Sequence, residues 1–167
     1  MEKKELKFLI IFFYYNRPDM VRNALNSINK LTYKNFEVVF IDDGSETKGE
    51  PIVRSIIKPS FLKKFQFVDT NDTIKDKINR EGSEIGKYAN EAIQNSDADV
   101  VLMLCDDDAL VPYYLNSLNR FYQFNPKIHY AYCKLKYYNP TETSYTRAKP
   151  DETDVTNRLI NPVTNLD

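Results

Sequence analysis

The sequence predicts an α/β fold in which a mostly parallel sheet carries helices on both faces. Apolar runs rich in β-branched and aromatic residues alternate along the chain with segments of helical periodicity. That order favours right-handed crossovers between parallel strands. Two apolar runs also end abruptly in aspartates, as expected where strands open onto a ligand crevice. With 167 residues, 42% of them hydrophobic, the chain is long enough for a single domain with its own core.

The first half of the chain is predicted to contain three strands and two helices. The strands cover residues 6–15, 36–41 and 65–68, and the first is predicted to be central because it lacks polar alternation. Pro18 suits the first position of a helix and Asp19 the positive end of its dipole. This helix is predicted to end near Lys30, with an apolar face of Met20, Val21, Ala24, Leu25 and Ile28. A shorter helical face precedes Pro59 and consists of Ile52, Val53, Ile56 and Ile57.

The second half begins with the polar residues 71–81, which are predicted to form an exposed loop. Ser83 is expected to cap a helix with an apolar face of Ile85, Tyr88, Ala89, Ala92 and Ile93. Residues 100–105 follow as a strand buried on both faces. A helix over residues 112–124 is expected to turn inward Leu115, Leu118, Phe121 and Tyr122, and residues 129–138 form a last strand.

The composition and net charge of the chain indicate which kinds of partner, site and location to expect. The net charge of −1 and the estimated pI of 5.9 give no basic surface for nucleic acid, so we expect no nucleic-acid partner. Cys105 and Cys133 are the two cysteines and are predicted to be buried thiols of a reducing compartment. The single His129 cannot anchor a zinc site alone. Residues 1–5 are charged and the following apolar run is short, so neither a signal peptide nor a membrane span is expected, and the expected location is the cytoplasm.

Three consecutive aspartates, Asp106, Asp107 and Asp108, follow the apolar strand. Adjacent carboxylates repel one another unless a cation or several donors lie among them. One of them can cap a following helix, and a turn used only for capping is the simpler interpretation. Mg²⁺ and Mn²⁺, however, prefer carboxylate ligands together with substrate phosphates. We therefore favour a site for a metal-bound diphosphate, in which Asp106 and Asp108 reach the ion and Asp107 points elsewhere.

The first and second strands end at the same predicted edge. Tyr15 could stack on a nucleobase there and Asp43 could accept a hydrogen bond from a base N–H. Core packing is the ordinary role of a tyrosine, and a turn or cap that of an aspartate before Gly44. Arg80 and Lys87 are candidate donors to a diphosphate, although such cations are more often solvated surface charges.

Four segments together resemble a family of enzymes, the family-2 inverting glycosyltransferases of the GT-A fold. The resemblance covers about residues 6–138 in unbroken order. It rests on Phe8-Leu9-Ile10-Ile11 leading to Tyr15-Asn16-Arg17-Pro18, on Tyr33 through Ile41-Asp42-Asp43-Gly44-Ser45, on Gly86-Lys87-Tyr88-Ala89-Asn90, and on Leu104-Cys105-Asp106-Asp107-Asp108.

The resemblance implies a transfer of sugar from a nucleotide-diphosphate sugar, with UDP or dTDP as the carrier, to an acceptor hydroxyl with inversion. It places the nucleobase at Tyr15 and Asp43, and the ribose, diphosphate and a Mn²⁺ or Mg²⁺ ion at residues 106–108. Asp106 and Asp107 are thus expected to contact the nucleotide sugar, and Asp106 and Asp108 the metal. The extra Asp107 leaves the choice of direct ligand open, and Phe13-Tyr14 replaces the Pro-Thr that the family often has.

The resemblance also implies an acceptor-binding half with a carboxylate as general base, expected beyond Asp167. We therefore expect residues 1–138 to be the nucleotide-sugar-binding core and residues 139–167 to be a partly irregular segment leading to that half. The acceptor would be a glycan, a lipid-linked molecule or a protein, within polysaccharide biosynthesis, and the full-length protein could associate peripherally with a membrane.

Two other functions remain open at this point. A nucleotidyltransferase shares the fold plan and the metal, but normally has a Gly-rich phosphate loop after the first strand. This chain has Tyr15-Asn16-Arg17-Pro18 there, which counts against that function. A non-catalytic nucleotide- or cation-binding module is the other alternative, because an acidic sheet edge can bind a nucleotide or a cation without catalysing a reaction.

Overall fold

The structure, a computed structural model, describes residues 5–79 and 84–131. Its strands are β1 (Phe8–Tyr14), β2 (Phe36–Asp42), β3 (Phe65–Asp69) and β4 (Val100–Cys105). Its helices are α1 (Met20–Asn29), α2 (Gly49–Ile56), α3 (Pro59–Leu62), α4 (Ile74–Asn79), α5 (Glu84–Gln94) and α6 (Tyr114–Phe124). The chain divides into two compact units, Met1–Gln123 and Phe124–Asp167, and only residues 124–131 of the second are described.

The described strands form a parallel sheet in the order β3-β2-β1-β4. In this register Phe8 lies opposite both Phe36 and Val100. Each parallel pairing is bridged by a helical segment, as the alternating sequence pattern requires. The predicted α/β class with a parallel sheet is therefore confirmed.

The core lies on both faces of β1, which is central in the sheet because it is apolar at nearly every position. Alternate side chains of a strand face opposite sides. Phe8, Ile10 and Phe12 pack with residues of α1, α2 and α6, while Leu9 and Ile11 pack on the side of α5. All five are fully buried. The prediction of helices on both faces is thus confirmed.

The prediction that residues 100–105 are buried on both faces is wrong. Within the described sheet β4 is an outer strand, and α5 packs against β1 and β2. Among the described residues this leaves one face of β4 open, with Val101 39% and Met103 62% exposed. Cys105 is also exposed, so its prediction as a buried thiol is wrong for the same reason.

Smaller corrections concern exposed or short elements. Residues 71–81 are not entirely loop, because α4 forms there with no buried residue. Met20 is 54% exposed at the first turn of α1, where it lies beyond the buried face. Ile93 is 37% exposed near the end of α5. The one-turn α3 was missed, because its four residues are too short to show periodicity.

Other predictions lie outside the described residues. They include the cap at Ser83, the thiol of Cys133 and most of the last strand, residues 132–138. The part of that strand that is described, residues 129–131, is not in a strand. The division at residue 138 stays a prediction. Among the described residues, no helix has the length and apolar character needed to span a bilayer.

Candidate functional site

The carboxyl ends of β1, β2 and β4 meet at one edge of the sheet. Tyr14 lies opposite Asp42 across the β1–β2 pair, and Phe13 lies opposite Cys105 across the β1–β4 pair. Because the strands are parallel and in register, the residues that follow each strand meet at the same place. The structure therefore brings Tyr15, Asp43 and residues 106–108 together, as the sequence predicted.

Asp42 organises the loop after β2. It is 4% exposed, and its carboxylate accepts hydrogen bonds from the backbone N–H groups of Ser45 and Gly49, both at 2.8 Å. Gly49 is the first residue of α2, so this carboxylate also neutralises the positive end of that helix. With both oxygens committed to the backbone, Asp42 shapes the loop, and Asp43 is the carboxylate of this pair that makes other contacts.

Two residues with positive φ shape this edge. Gly44 has a φ of 68°, and a Cβ built there would lie 2.1 Å from the carbonyl oxygen of Asp72. Only glycine allows that approach. Asn16 has a φ of 49°, its N–H donates to Ser45 Oγ, and its side-chain oxygen accepts from the N–H of Glu46. The end of β1 is thereby tied to the loop after β2.

Asp43 and Tyr15 share a partner that the sequence did not identify, Lys77 of α4. The Lys77 ammonium donates to the Asp43 carboxylate at 2.7 Å and to the Asp43 carbonyl oxygen. It also lies 3.7 Å from the centroid of the Tyr15 ring. The Asp43 side chain is 20% exposed and that of Lys77 22%. Residues 71–81 showed only polarity in sequence, so no pattern singled out Lys77.

Asp106 fixes the end of β1 from the other side. It is 5% exposed, and its carboxylate accepts from the Tyr15 N–H at 3.0 Å. Its other oxygen lies 3.3 Å from Arg17 Nη1, which also donates to Asp107 at 2.8 Å. Arg17 was missed as a site residue, although a cation directly after the first strand, at the edge where the aspartates end, was an available signal.

A candidate cation site lies next to Asp106. The ligand atoms of Cys105, Asp107 and Asp108 all lie within 4.8 Å of one another, and all three residues are exposed. Partial desolvation raises the pKa of the Cys105 thiol, although the residue is exposed, and the charges of Asp108 and Asp107 raise it further. A thiol is a soft ligand, which the hard cations Mg²⁺ and Mn²⁺ disfavour. Two hard carboxylates remain, a donor set that fits Mg²⁺ or Mn²⁺.

The metal pair expected from the sequence was Asp106 and Asp108. The geometry instead groups Asp108 with Asp107 and commits Asp106 to the Tyr15 N–H and to Arg17. In the described chain the ion would thus meet Asp107 and Asp108 first. Residues 106–107 form a turn after β4 and not an extended strand, so alternation along a strand does not support the pair. The metal pair Asp106 and Asp108 stays a prediction.

The two predicted diphosphate donors are not brought to this edge by any described contact. Lys87 of α5 is 60% exposed, lies 3.6 Å from the Glu84 carboxylate and sits 5.6 Å from the Tyr88 ring, so its described partners are in its own helix. Arg80 lies outside the described residues. Their role in binding a donor stays a prediction, and Arg17 and Lys77 are cations that the described site does contain.

The family model for glycosyl transferase family 2 matches residues 9–165. The bifunctional glycosyltransferase pgtA of Dictyostelium discoideum is 29% identical over 119 residues, which is 70% of this chain and 14% of that protein. Protein CgeD of Bacillus subtilis is 24% identical over 131 residues, 78% of this chain and 29% of CgeD. The chain thus spans less than a third of the length of each of these two relatives.

Solved structures share the fold. TarS of S. aureus in complex with UDP-GlcNAc has a TM-score of 0.56 at 22% identity, over 71% of this chain and 32% of TarS. The mannosyltransferase PcManGT of Pyrobaculum calidifontis, in complex with GDP-Man and Mn²⁺, has a TM-score of 0.55 at 18% identity, over 70% and 32%. At these identities the likeness concerns the fold, and the predicted GT-A type of α/β sheet is confirmed.

Proposed function

This chain belongs to glycosyl transferase family 2, and we propose that its acidic sheet edge binds a nucleotide-diphosphate sugar for transfer of the sugar to an acceptor hydroxyl. One observation carries the proposal. The Asp106 carboxylate accepts a hydrogen bond from the Tyr15 N–H at 3.0 Å. The residues proposed to bind the nucleobase and those proposed to bind the diphosphate therefore form one continuous surface. A ligand with a base at one end and phosphates at the other matches that surface.

The nucleobase would lie at Tyr15 and Asp43. The Tyr15 ring is 38% exposed and offers a stacking face, and the Asp43 carboxylate can accept from a base N–H. Uracil, thymine and guanine each carry a ring N–H of that kind, and we favour UDP, with dTDP as the second choice. Asp42 holds the Asp43 loop through Ser45 and Gly49, which fixes the position of the acceptor oxygen before the base arrives.

The diphosphate would lie over Asp107 and Asp108. These carboxylates repel an anion on their own, so we propose that they hold Mn²⁺ or Mg²⁺ when the donor binds. The ion would offset the negative charge that develops on the departing nucleoside diphosphate. Arg17 now pairs with Asp107 and is the described side chain best placed to turn toward a phosphate oxygen.

The remaining parts of the reaction rest on the family resemblance. We propose inversion, in which the acceptor oxygen bonds to the anomeric carbon on the face opposite the departing diphosphate. We propose that a carboxylate acts as general base and takes the proton of the acceptor hydroxyl, and we assign that role to none of the described residues. A glycan, lipid-linked or protein acceptor in polysaccharide biosynthesis, a cytoplasmic location and peripheral membrane association of a full-length protein likewise stay proposals.

The direct test is to incubate the 167-residue chain with UDP-, dTDP- and GDP-sugars plus Mn²⁺, with and without added acceptor glycans. We expect saturable donor binding by calorimetry, with uridine compounds bound best. Sugar transfer or release of the nucleoside diphosphate would support an enzyme. Binding without either would support a donor-binding module, the second candidate. Failure to bind any nucleotide with Mn²⁺ would contradict the proposal.

A further inference from the structure

The contacts of Lys77 place a cation where the proposed ligand has its base. The ammonium lies 3.7 Å from the centroid of the Tyr15 ring, which is stacking distance for a planar base. The same ammonium hydrogen-bonds to the Asp43 carboxylate at 2.7 Å. Lys77 therefore uses both features that a nucleobase would use, the aromatic face and the carboxylate acceptor.

A base and the Lys77 ammonium cannot occupy this face of Tyr15 together. We propose that Lys77 is an internal competitor of the nucleobase: it fills the base position in the ligand-free chain and must leave before the donor's base can stack on Tyr15 and bond to Asp43. This inference rests on the proposed function, because it presumes that the base binds there. Lys77 lies outside the four segments on which the family resemblance rests.

The helix that carries Lys77 can release it without disturbing the core. None of the residues of α4 is buried, and Ile74 and Ile78 are 62% and 75% exposed. The start of α4 is held locally, through hydrogen bonds between Thr73 and Asp76. Elements with few buried contacts open at low free-energy cost. Withdrawal of Lys77 thus costs mainly its own contacts with Asp43 and Tyr15.

The chain before α4 is anchored more firmly than α4 itself. The backbone of Asp72 lies against Gly44, so closely that a Cβ on Gly44 would meet the Asp72 carbonyl oxygen at 2.1 Å. The Asp72 N–H donates to Thr70 Oγ1, and the Thr70 N–H donates to the carbonyl oxygen of Asp42. Residues 70–72 thus stay on the loop after β2, and displacement of Lys77 would be confined to its side chain and to α4.

When only a fraction of the protein molecules is in the binding-competent state, the apparent affinity for the ligand is reduced by that fraction. Removal of Lys77 should therefore tighten binding of the base. Neutral nucleosides are the right probes, because loss of a positive charge would also weaken attraction of a phosphate. We expect the Lys77→Met variant to bind uridine about tenfold tighter than the wild-type chain. Lys75→Met, which removes the same charge from an exposed position of α4, should leave uridine binding unchanged.

Salt and hydrogen exchange give independent readouts. Because salt screens the Lys77–Asp43 pair, uridine should bind the wild-type chain more tightly as ionic strength rises, and Lys77→Met should lose that dependence. Uridine should also speed hydrogen exchange at the amides of α4 in the wild-type chain, because its binding releases the helix. Ligands ordinarily slow exchange at their site, so faster exchange is specific to displacement.

The outcomes separate failure of this inference from failure of the proposed function. Calorimetry with uridine, thymidine and guanosine would be run on the wild type, Lys77→Met and Lys75→Met. Tighter binding in Lys77→Met alone supports the competitor. Equal or weaker binding in Lys77→Met, with measurable binding to the wild type, overturns it while leaving the base pocket intact. No binding of any nucleoside or nucleoside diphosphate to any of the three chains would contradict the base pocket and the competitor together.

Discussion

The guanidinium of Arg17 donates to the Asp107 carboxylate at 2.8 Å and lies 3.3 Å from that of Asp106, so one side chain pairs with two of three consecutive aspartates. Such a pair offsets the repulsion between adjacent carboxylates in the chain without a metal ion. The same Asp107 carboxylate belongs to the candidate cation site. Arg17 and a divalent cation should therefore compete for Asp107.

The first prediction concerns that competition. Replacement of Arg17 by Gln should increase the affinity of the nucleotide-free chain for Mn²⁺ by about three- to tenfold, because one competing cation is removed. Titration of Mn²⁺ by electron paramagnetic resonance measures this. Arg22→Gln, an exposed change in α1, which follows Arg17, is the matched control and should have no effect. Unchanged or weaker Mn²⁺ binding in Arg17→Gln would show that Arg17 does not compete.

A second prediction separates the neighbouring Asp42 and Asp43. Asp42→Asn should lower the free energy of unfolding by about 1–3 kcal/mol, because an amide cannot accept from both the Ser45 and Gly49 N–H groups, and one buried donor loses its partner. Asp43→Asn should cost less than about 1 kcal/mol, since its ion pair with Lys77 is partly exposed. Urea denaturation measures both. Equal losses in the two variants would contradict the structural role of Asp42.

The third prediction contrasts two glycines. Gly44→Ala should destabilise the chain by at least about 2 kcal/mol, because its φ of 68° is unfavourable for alanine and the new methyl group meets the Asp72 carbonyl oxygen. Gly86→Ala should stabilise it by about 0.5–1 kcal/mol, since it lies in α5 with nothing within 4 Å of the new methyl group. Thermal and urea unfolding would test the signs. Tolerance of alanine at position 44 would refute this loop geometry.

A fourth prediction concerns alkaline pH. Burial raises the pKa of Tyr14 from 10.0 to about 12, and the charges of Asp42 and Asp106 add to the shift. The folded state therefore holds the phenol proton more tightly than the unfolded chain, and this contribution to stability is complete below about pH 10 and is lost as pH rises to about 12. Urea midpoints should fall across that range.

Tyr14→Phe provides the control for this pH dependence. It removes the 2.8 Å hydrogen bond from the phenol to the Thr47 carbonyl oxygen, so it should lower stability at neutral pH. It should also flatten the decline at alkaline pH. Part of the decline will remain, because burial raises the pKa of Tyr33 to about 12 as well. An undiminished slope in Tyr14→Phe would show that Tyr14 does not contribute.

The strands and the edge on which they meet could be predicted from sequence, because both depend on local patterns. A run such as Phe8–Tyr14 has too few polar positions to face water, and aspartates directly after two such runs fix where the crevice opens. Tyr15, Asp43 and residues 106–108 were found for that reason. The burial of β4 was predicted wrongly, because an apolar run does not reveal whether a strand is central or outermost in the sheet.

The different contacts made by the neighbouring carboxylates could not be predicted from the sequence. Asp42 and Asp43 are adjacent and identical in type, yet one accepts from the backbone and the other meets Lys77. That difference depends on which way each side chain turns at the end of β2. The contact between Lys77 and Tyr15 joins residues far apart in the chain, and no periodic pattern encodes it.

The central claim is that the edge holding Tyr15, Asp43 and residues 106–108 binds a nucleoside diphosphate through a divalent cation. Calorimetric titration of UDP, with Mn²⁺ or with EDTA, tests it most directly in the wild type, Asp108→Asn and Asp97→Asn. Asp97 is an exposed carboxylate paired with Lys7 at the opposite edge of the sheet and serves as the control. We predict that Mn²⁺ tightens UDP binding at least about tenfold in the wild type and Asp97→Asn, and has no effect in Asp108→Asn. Equal UDP binding with Mn²⁺ and EDTA in the wild type, or retained stimulation by Mn²⁺ in Asp108→Asn, would contradict the claim.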